Sequence, residues 1–208
     1  MMIAELAGFF TATRSISDEQ ALIRSAQRGD LEAFTCLVLS HQQQVYNVAY
    51  RIMGDEATAS DATQEAFISA YRHVGSFHQG SFKNWLLRIV RNACYDELRR
   101  RKRRPMISLD EAVITDEGVI EFDLPASADG PEQIVQRREL ADLLQRGINM
   151  LPIDQRLTLV LSDVQGLRYD EIAEITHSKR GTVKSRLSRA RATLREYVQI
   201  HREAVWST

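Results

Sequence analysis

The sequence predicts an all-α protein of two helical domains joined by an acidic linker. Three observations predict it. Apolar residues recur at helical spacing along most of the chain, and no stretch sustains the period-2 alternation of a strand. The four prolines (Pro105, Pro125, Pro131 and Pro152) and most glycines fall between periodic segments, not inside them. Charge is blocked. Residues 83–104 hold nine Lys/Arg against Asp96 and Glu97, residues 105–132 hold eight acids and no base, and residues 179–202 hold eight Lys/Arg against Glu196.

The elements follow in order. A first helix is expected from Asp18, a good N-cap, to Arg28, where Gly29-Asp30 stops it. A second runs from Leu31 to Met53 and ends at Gly54-Asp55, and a third from Glu56 to Val74 ends at Gly75. After the loop 75–81, a fourth helix from Phe82 to Arg104 ends at Pro105 and closes a first domain over residues 18–104. Residues 1–17, with Phe9 and Phe10, form an extension expected to be flexible or to meet a regulator. Residues 105–131 form the linker, whose Ile107, Leu109, Val113 and Phe122 make it too apolar for a plain spacer. The second domain, 132–200, is expected to carry helices at 132–150, 152–164, 169–176 and 181–200, followed by a short tail, 201–208. The last two helices are separated by His177-Ser178-Lys179-Arg180, the spacing of a helix-turn-helix.

Composition bounds the function. The chain has 208 residues, 44% of them apolar, and 27 Lys/Arg against 28 Asp/Glu, as in an ordinary globular protein. No run of 18 uncharged apolar residues can span a membrane. Glu5 precedes any apolar run and no basic segment opens the chain, so no secretory signal is expected and the cytoplasm is the simplest compartment. Cys36 and Cys94 are too few for a disulfide framework, and both read as reduced, buried thiols. The two basic blocks suggest two polyanion-binding surfaces, and the acidic linker a segment that mimics or repels the polyanion.

Three constellations carry function. In the last helix Val183, Leu187, Ala190, Leu194 and Val198 share one narrow arc, the core face. Thr182, Ser185, Ser188 and Arg189 lie opposite, flanked by Lys184, Arg186 and Arg191. Small hydroxyls and one long base can enter a major groove, while the flanking bases reach phosphates. In the preceding helix Ile172 and Ile175 point inward. In the third helix Ala66, Phe67, Ala70, Tyr71 and Val74 form the core stripe, while Asp61, Gln64, Glu65 and Arg72 face out around Ile68. That isoleucine is either a protein contact or a stray apolar surface residue. In the fourth helix Arg88, Asn92, Tyr95 and Arg99 form a polar stripe beside Trp85, and the loop before it supplies Phe77, His78, Gln79, Ser81, Phe82 and Asn84. Amides, bases and aromatics so interleaved suit unpaired DNA, although the aromatics also read as core.

Enzymatic constellations are missing. His41, His73, His78, His177 and His201 show no metal-ligand spacing, and no phosphate-cradling glycine loop, nucleophile elbow or dinucleotide fingerprint occurs. The carboxylate pairs Asp61/Glu65 and Asp96/Glu97 read as solvated helix faces. No metal, cofactor or catalytic residue is expected.

These motifs resemble a family. Asp61-Ala-Thr-Gln-Glu-Ala-Phe-Ile-Ser-Ala-Tyr-Arg, followed by Phe77 and by Phe82-Lys-Asn-Trp-Leu-Leu-Arg-Ile-Val-Arg-Asn, is similar to region 2 of bacterial sigma factors. Leu151-Pro-Ile-Asp-Gln-Arg, Gly166-Leu-Arg-Tyr-Asp-Glu-Ile-Ala and Gly181-Thr-Val-Lys-Ser-Arg-Leu-Ser-Arg-Ala-Arg are similar to region 4. Both sets occur in order with a linker in place of region 3, so the chain resembles the extracytoplasmic function (ECF) group of the sigma-70 family over about residues 18–200.

The resemblance implies roles. Asp61, Gln64, Glu65 and Ile68 would meet the clamp helices of the largest core RNA polymerase subunit, and the second domain would meet the flap. Phe77, His78, Gln79, Ser81, Lys83, Asn84, Arg88 and Asn92 would recognise and open the -10 promoter element. Arg180, Thr182, Lys184, Ser185, Ser188 and Arg189 would read the -35 element. The acidic linker would thread the polymerase cleft. An anti-sigma protein, often membrane-bound in the family, is the expected regulator and would hold the chain at the inner membrane face without inserting it. No chemistry of its own and no large C-terminal regulatory domain are expected. Two other readings use fewer of these features: a helix-turn-helix regulator of duplex DNA, which needs neither the 61–74 face nor the 75–82 loop, and a nucleic-acid-processing enzyme, which needs a carboxylate cluster for metal.

Overall fold

A computed structural model describes the backbone of residues 16–103 and 131–206, and every regular element in them is helical. In the first domain α1 (Ile16–Gln27), α2 (Leu31–Met53), α3 (Glu56–His73) and α4 (Phe82–Arg103) follow one another, with a single 3-10 turn at Val74–Ser76. The second domain contains α5 (Pro131–Asn149), α6 (Ile153–Leu159), α7 (Tyr169–Thr176) and α8 (Arg180–Trp206). The expectations for the extension and the linker fall on residues 1–15 and 104–130, outside the described residues.

Local chemistry sets the breaks in the first domain. Gly29, at φ 92°, leaves α1. The Asp30 carboxylate then accepts the Ala33 N–H at 3.0 Å and caps α2. Gly54, at φ 82°, ends α2, a conformation that costs glycine nothing. Asp55 accepts the Thr58 N–H at 2.9 Å and starts α3. The 23 residues of α2 reach about 35 Å, so this helix runs the length of the domain.

Alanine packs the first domain closely. Ala59, Ala62, Ala66 and Ala70 form the buried side of α3 and let it lie near α2 and α4. At one end of the domain Ile23, Phe34, Leu37, Val74, Phe77, Phe82 and Leu86 form a core of their own. At the other end the core does not stop at the domain boundary. Val45, Val48, Ala49 and Ile52 of α2 and Leu87 and Val90 of α4 belong to one apolar cluster with Leu157, Val160, Leu161, Ile172, Ile175 and Val183. The two domains are therefore packed on each other, with α2 against α5 and α6 and α4 against α7. A third cluster, with Ile148, Leu151, Leu159, Leu187 and Ala190, fixes α8 within the second domain.

Several expectations need correction. Asp18 is not an N-cap, because α1 already begins at Ile16 and places Asp18 in its first turn. The helix expected over 152–164 starts at Ile153 and loosens after Leu159 into a π-helical turn, Val160–Val164, closed by the Gln165 N–H on the Val160 carbonyl at 3.0 Å. α8 starts at Arg180, so the break of the helix-turn-helix is three residues and not four. It continues to Trp206 because no Gly or Pro follows to stop it, and residues 201–206 are helix instead of tail. Glu97 is not a solvated carboxylate. It is 9% exposed and paired with Arg100 and Arg101. Cys94 is fully buried, and burial pushes its thiol up to about 12, whereas Cys36 is only half-buried.

Candidate polymerase and nucleic-acid interfaces

The outer side of α3 is an exposed face on a rigid helix. Asp61, Gln64 and Glu65 are exposed, and Ile68 is 38% exposed. Tyr71 was expected in the core stripe, yet it is 43% exposed and only edges onto Phe34, at 5.1 Å between rings. Gln64, Ile68 and Tyr71 recur at helical spacing, so the face carries an apolar centre between amide and carboxylate groups.

The loop before α4 is anchored from beneath. The Gln27 amide donates to the carbonyls of Val74 (3.3 Å) and Phe77. Phe77 lies 5.4 Å from Phe82 and 5.6 Å from Trp85, ring to ring, and Phe82 stacks on Trp85 at 5.3 Å. Phe77 is 5% exposed, so the expectation that its side chain meets DNA is corrected: the ring is the floor of the loop. Above that floor His78, Gln79 and Ser81 are exposed. Ser81 also accepts the Asn84 N–H at 3.2 Å and so starts α4.

Along α4 the polar stripe divides. Asn92 is exposed and accepts from Arg91 at 3.2 Å, while the Arg91 guanidinium sits 5.3 Å from the Tyr95 ring centre. Arg88 is half-buried, and its Nε has no partner among the described residues. Tyr95 of the stripe, and Lys83 and Asn84 at the start of the helix, face the second domain, whereas Arg99 is exposed beside Asp96. Asn84 donates to Glu171 at 2.9 Å, Lys83 to the Gln165 carbonyl at 3.4 Å, and the Tyr95 hydroxyl to Asp154 at 2.5 Å. Burial first, then the Asp154 carboxylate, push the Tyr95 phenol far above its usual range. The Arg168 N–H and then the Asn84 amide hold Glu171 below the usual carboxylate range.

The helix-turn-helix is built as its periodicity predicts. Val183, Leu187 and Ala190 are buried, and Ile172 and Ile175 meet them from α7. His177 makes the turn at φ 50°, a strained conformation for a residue with a Cβ. Arg180, Thr182, Lys184, Ser185, Ser188 and Arg189 all stand exposed. Arg180 leans toward Asp170 at 3.5 Å. The expected flanking bases are not equivalent to these. Arg186 is held by Asp154 at 2.6 Å and Ser178 at 2.9 Å, and Arg191 by both oxygens of Asp163 at 3.0 and 2.6 Å. Burial alone would raise the Asp163 carboxyl, but the hydrogen bonds from Arg191 and Ser162 outweigh it and keep it low. Both arginines are engaged within the protein, which leaves Lys184 and Arg189 as the freer bases.

Sequence reasoning missed the polar seam between the domains. Arg51 is 5% exposed and donates to Gln145 at 3.1 Å, and Gln145 donates to Asn149 at 3.0 Å. Arg156 reaches the carbonyls of Ile52 (2.5 Å), Asn149 and Leu151. Gln44 meets Gln165 at 2.6 Å. Gly54 comes so close to Asn149 that a Cβ there would lie 2.6 Å from its amide. One signal was available: Arg51 interrupts the apolar side of α2 between Val48 and Ile52.

Among the described residues no helix is long and apolar enough to cross a membrane, and no group of three His, Cys, Asp or Glu side chains is placed to hold a metal ion. Comparison with known proteins gives concordant matches over both domains. The family model for Sigma-70 region 2 matches residues 37–104, and that for Sigma-70, region 4 matches residues 141–194. The ECF RNA polymerase sigma factor SigE of Mycolicibacterium smegmatis is 40% identical over 166 residues, 79% of this chain and 61% of that protein. The RNA polymerase sigma-H factor of Pseudomonas aeruginosa is 37% identical over 183 residues, 87% of this chain and 94% of that protein. Among solved structures, the sigma factor RpoE in complex with the anti-sigma factor NepR from Bartonella quintana aligns with a TM-score of 0.63 and 26% identity, covering 82% of this chain and 99% of that one.

Proposed function

The chain belongs to the ECF group of the sigma-70 family, and from that premise we propose how its surfaces divide the work of promoter recognition. Asp61, Gln64, Glu65 and Ile68 dock on the clamp helices of core RNA polymerase, an apolar centre giving affinity and the carboxylates register. The second domain meets the flap. His78, Gln79 and Ser81, with Lys83, Asn84, Arg88 and Asn92, capture the opened -10 strand above the Phe77 floor. Arg180, Thr182, Lys184, Ser185, Ser188 and Arg189 read the -35 element from the major groove, Arg189 contacting a base and Lys184 a phosphate.

The observation that carries this reading is the outer face of α8. Its hydroxyls and three of its bases, Arg180, Lys184 and Arg189, stand exposed on a helix whose inner side is buried through Val183, Leu187 and Ala190, while Arg186 and Arg191 are tied to carboxylates of their own domain. The chain then works in the cytoplasm as a specificity subunit, with no catalysis, metal or cofactor of its own. An anti-sigma protein is its proposed regulator, by analogy with the Bartonella quintana sigma factor solved with one.

Charge reversal on the clamp face tests the proposal. Glu65→Lys should abolish pull-down by core polymerase and leave binding to a duplex -35 fragment unchanged. Retained pull-down would refute the assignment of that face.

A further inference from the structure

His78, Gln79 and Ser81, assigned to strand capture, stand on a loop, and a loop delivers its side chains only as well as its backbone is held. Its far end is held by Ser81, whose hydroxyl caps α4 through the Asn84 N–H. Its near end is held by Gln27, the last residue of α1.

The hold centres on Phe77. The Gln27 amide nitrogen has two hydrogens to give, and two carbonyls, Val74 at 3.3 Å and Phe77, accept from it. The Phe77 N–H donates to the same Val74 carbonyl at 3.1 Å. Both backbone polar groups of Phe77 are therefore bound inside the protein, and its ring is buried against Phe82 and Trp85. The chain leaves this floor toward His78 in one fixed direction. Between the two held ends lie His78, Gln79 and Gly80, and Gly80 has open space where a Cβ would be. α1 is itself firmly seated. Ile23 and Ala26 belong to the same buried cluster as Phe77 and Phe82, and the Ser25 hydroxyl donates to Asp30 at 2.7 Å where α1 gives way to α2.

We infer that Gln27 is a positioning residue for capture of the -10 strand. It touches no DNA. It holds the backbone so that His78 and Gln79 meet the strand already arranged for it, and the strand does not have to order the loop on arrival. This inference rests on the sigma reading proposed above and adds a residue of α1 to the promoter-reading machinery. Without the Gln27 donors the loop samples several arrangements, and affinity falls with the fraction of time spent in the competent one.

Gln27→Met tests it, since methionine keeps the length of the side chain and removes both donors. Gln27→Glu keeps the shape and turns an acceptor toward two acceptors. Ser25→Ala is the control, because it removes a hydrogen bond at the same end of α1 and leaves the hold on Phe77 intact. Each chain is assembled with core polymerase. The probe is a fluorescent single strand carrying the downstream motif of the start sites mapped in vitro, with a set in which each motif base is replaced in turn, and binding is read by anisotropy. Gln27→Met should weaken the cognate strand about fivefold to thirtyfold, and Gln27→Glu at least as much. Both should narrow the gap between cognate and replaced strands and leave pull-down by core polymerase and binding to the duplex -35 fragment unchanged. Ser25→Ala should bind as the unaltered chain does. A double-mutant cycle separates positioning from a general loss of structure. His78→Ala should weaken the strand in the unaltered chain and have little further effect beside Gln27→Met, because a loop that is not held no longer presents that side chain. Unchanged cognate affinity in Gln27→Met would overturn the inference. So would an equal loss in Ser25→Ala, or a His78→Ala effect of the same size with and without Gln27. Failure of the sigma reading looks different, because then the unaltered chain with core polymerase holds no strand and starts no transcript.

Discussion

Leu161→Ala tests whether the two domains share a core. Leu161 is fully buried in the second domain and belongs to the cluster that includes Val45, Val48 and Ile52 of the first. Truncation removes three carbon atoms from a site with no exposure, in the range where Leu→Ala costs about 2–5 kcal/mol, depending on how far the walls collapse. A protein of this size loses roughly 2–3 kcal/mol of stability per molar urea, so a cost of about 3 kcal/mol should lower the unfolding midpoint by about 1 M. The chain has two tryptophans, Trp85 and Trp206. In a Trp206→Phe background the fluorescence reports only Trp85, which packs on Phe82 and Phe77 at the far end of the first domain. If the domains unfold as one unit, Leu161→Ala shifts the Trp85 transition by the full amount, although the two residues lie in different clusters. If the Trp85 transition stays in place while helicity is lost earlier, the domains are independent, and the continuous core described above is refuted.

Two other predictions concern charge and recognition. At neutral pH Asp55→Ala should cost about 1 kcal/mol by removing the cap of α3, and Asp55→Asn much less. Burial raises the Asp55 carboxyl, but the Thr58 hydrogen bonds and Arg101 outweigh it and hold it below its usual value. The depressed group stabilises the fold above about pH 4 and loses that effect as pH falls further. The gap between Asp55→Ala and the unaltered chain, followed by thermal unfolding, should therefore close in acid, and a gap that widens would contradict the assignment. Arg189→Ala should weaken binding to the cognate -35 duplex by about 1–3 kcal/mol and relax the preference at one base pair, measured by fluorescence anisotropy against substituted sites. An equal loss on every sequence would make Arg189 a phosphate contact.

Much of the fold was legible because its signals are local. Gly29-Asp30 and Gly54-Asp55 each place a left-handed residue beside a capping carboxylate, and both breaks fall where the pair stands. The arc of Val183, Leu187 and Ala190 marks its buried side by periodicity alone, and the exposed side of α8 follows by exclusion. Phe77 was ambiguous in kind, since an aromatic in a loop reads equally as a stacking platform or a floor, and only its neighbours Phe82 and Trp85 decide. The seam was not legible. Arg51 breaks the apolar side of α2, but nothing in the sequence points it to Gln145, 94 residues away, and Tyr95 on a polar stripe carries no mark that Asp154 will cover it. Contacts between domains depend on which surfaces meet, and a local pattern does not encode that.

Transcription in vitro tests the central claim most directly. The purified chain is added to sigma-free core polymerase with fragmented genomic DNA, and the 5′ ends of the RNA are sequenced. The account predicts new start sites that share two spaced upstream motifs, and their loss with Glu65→Lys. A folded chain that gives no new starts and is not retained by core polymerase would contradict it, and would leave a regulator of duplex DNA in its place.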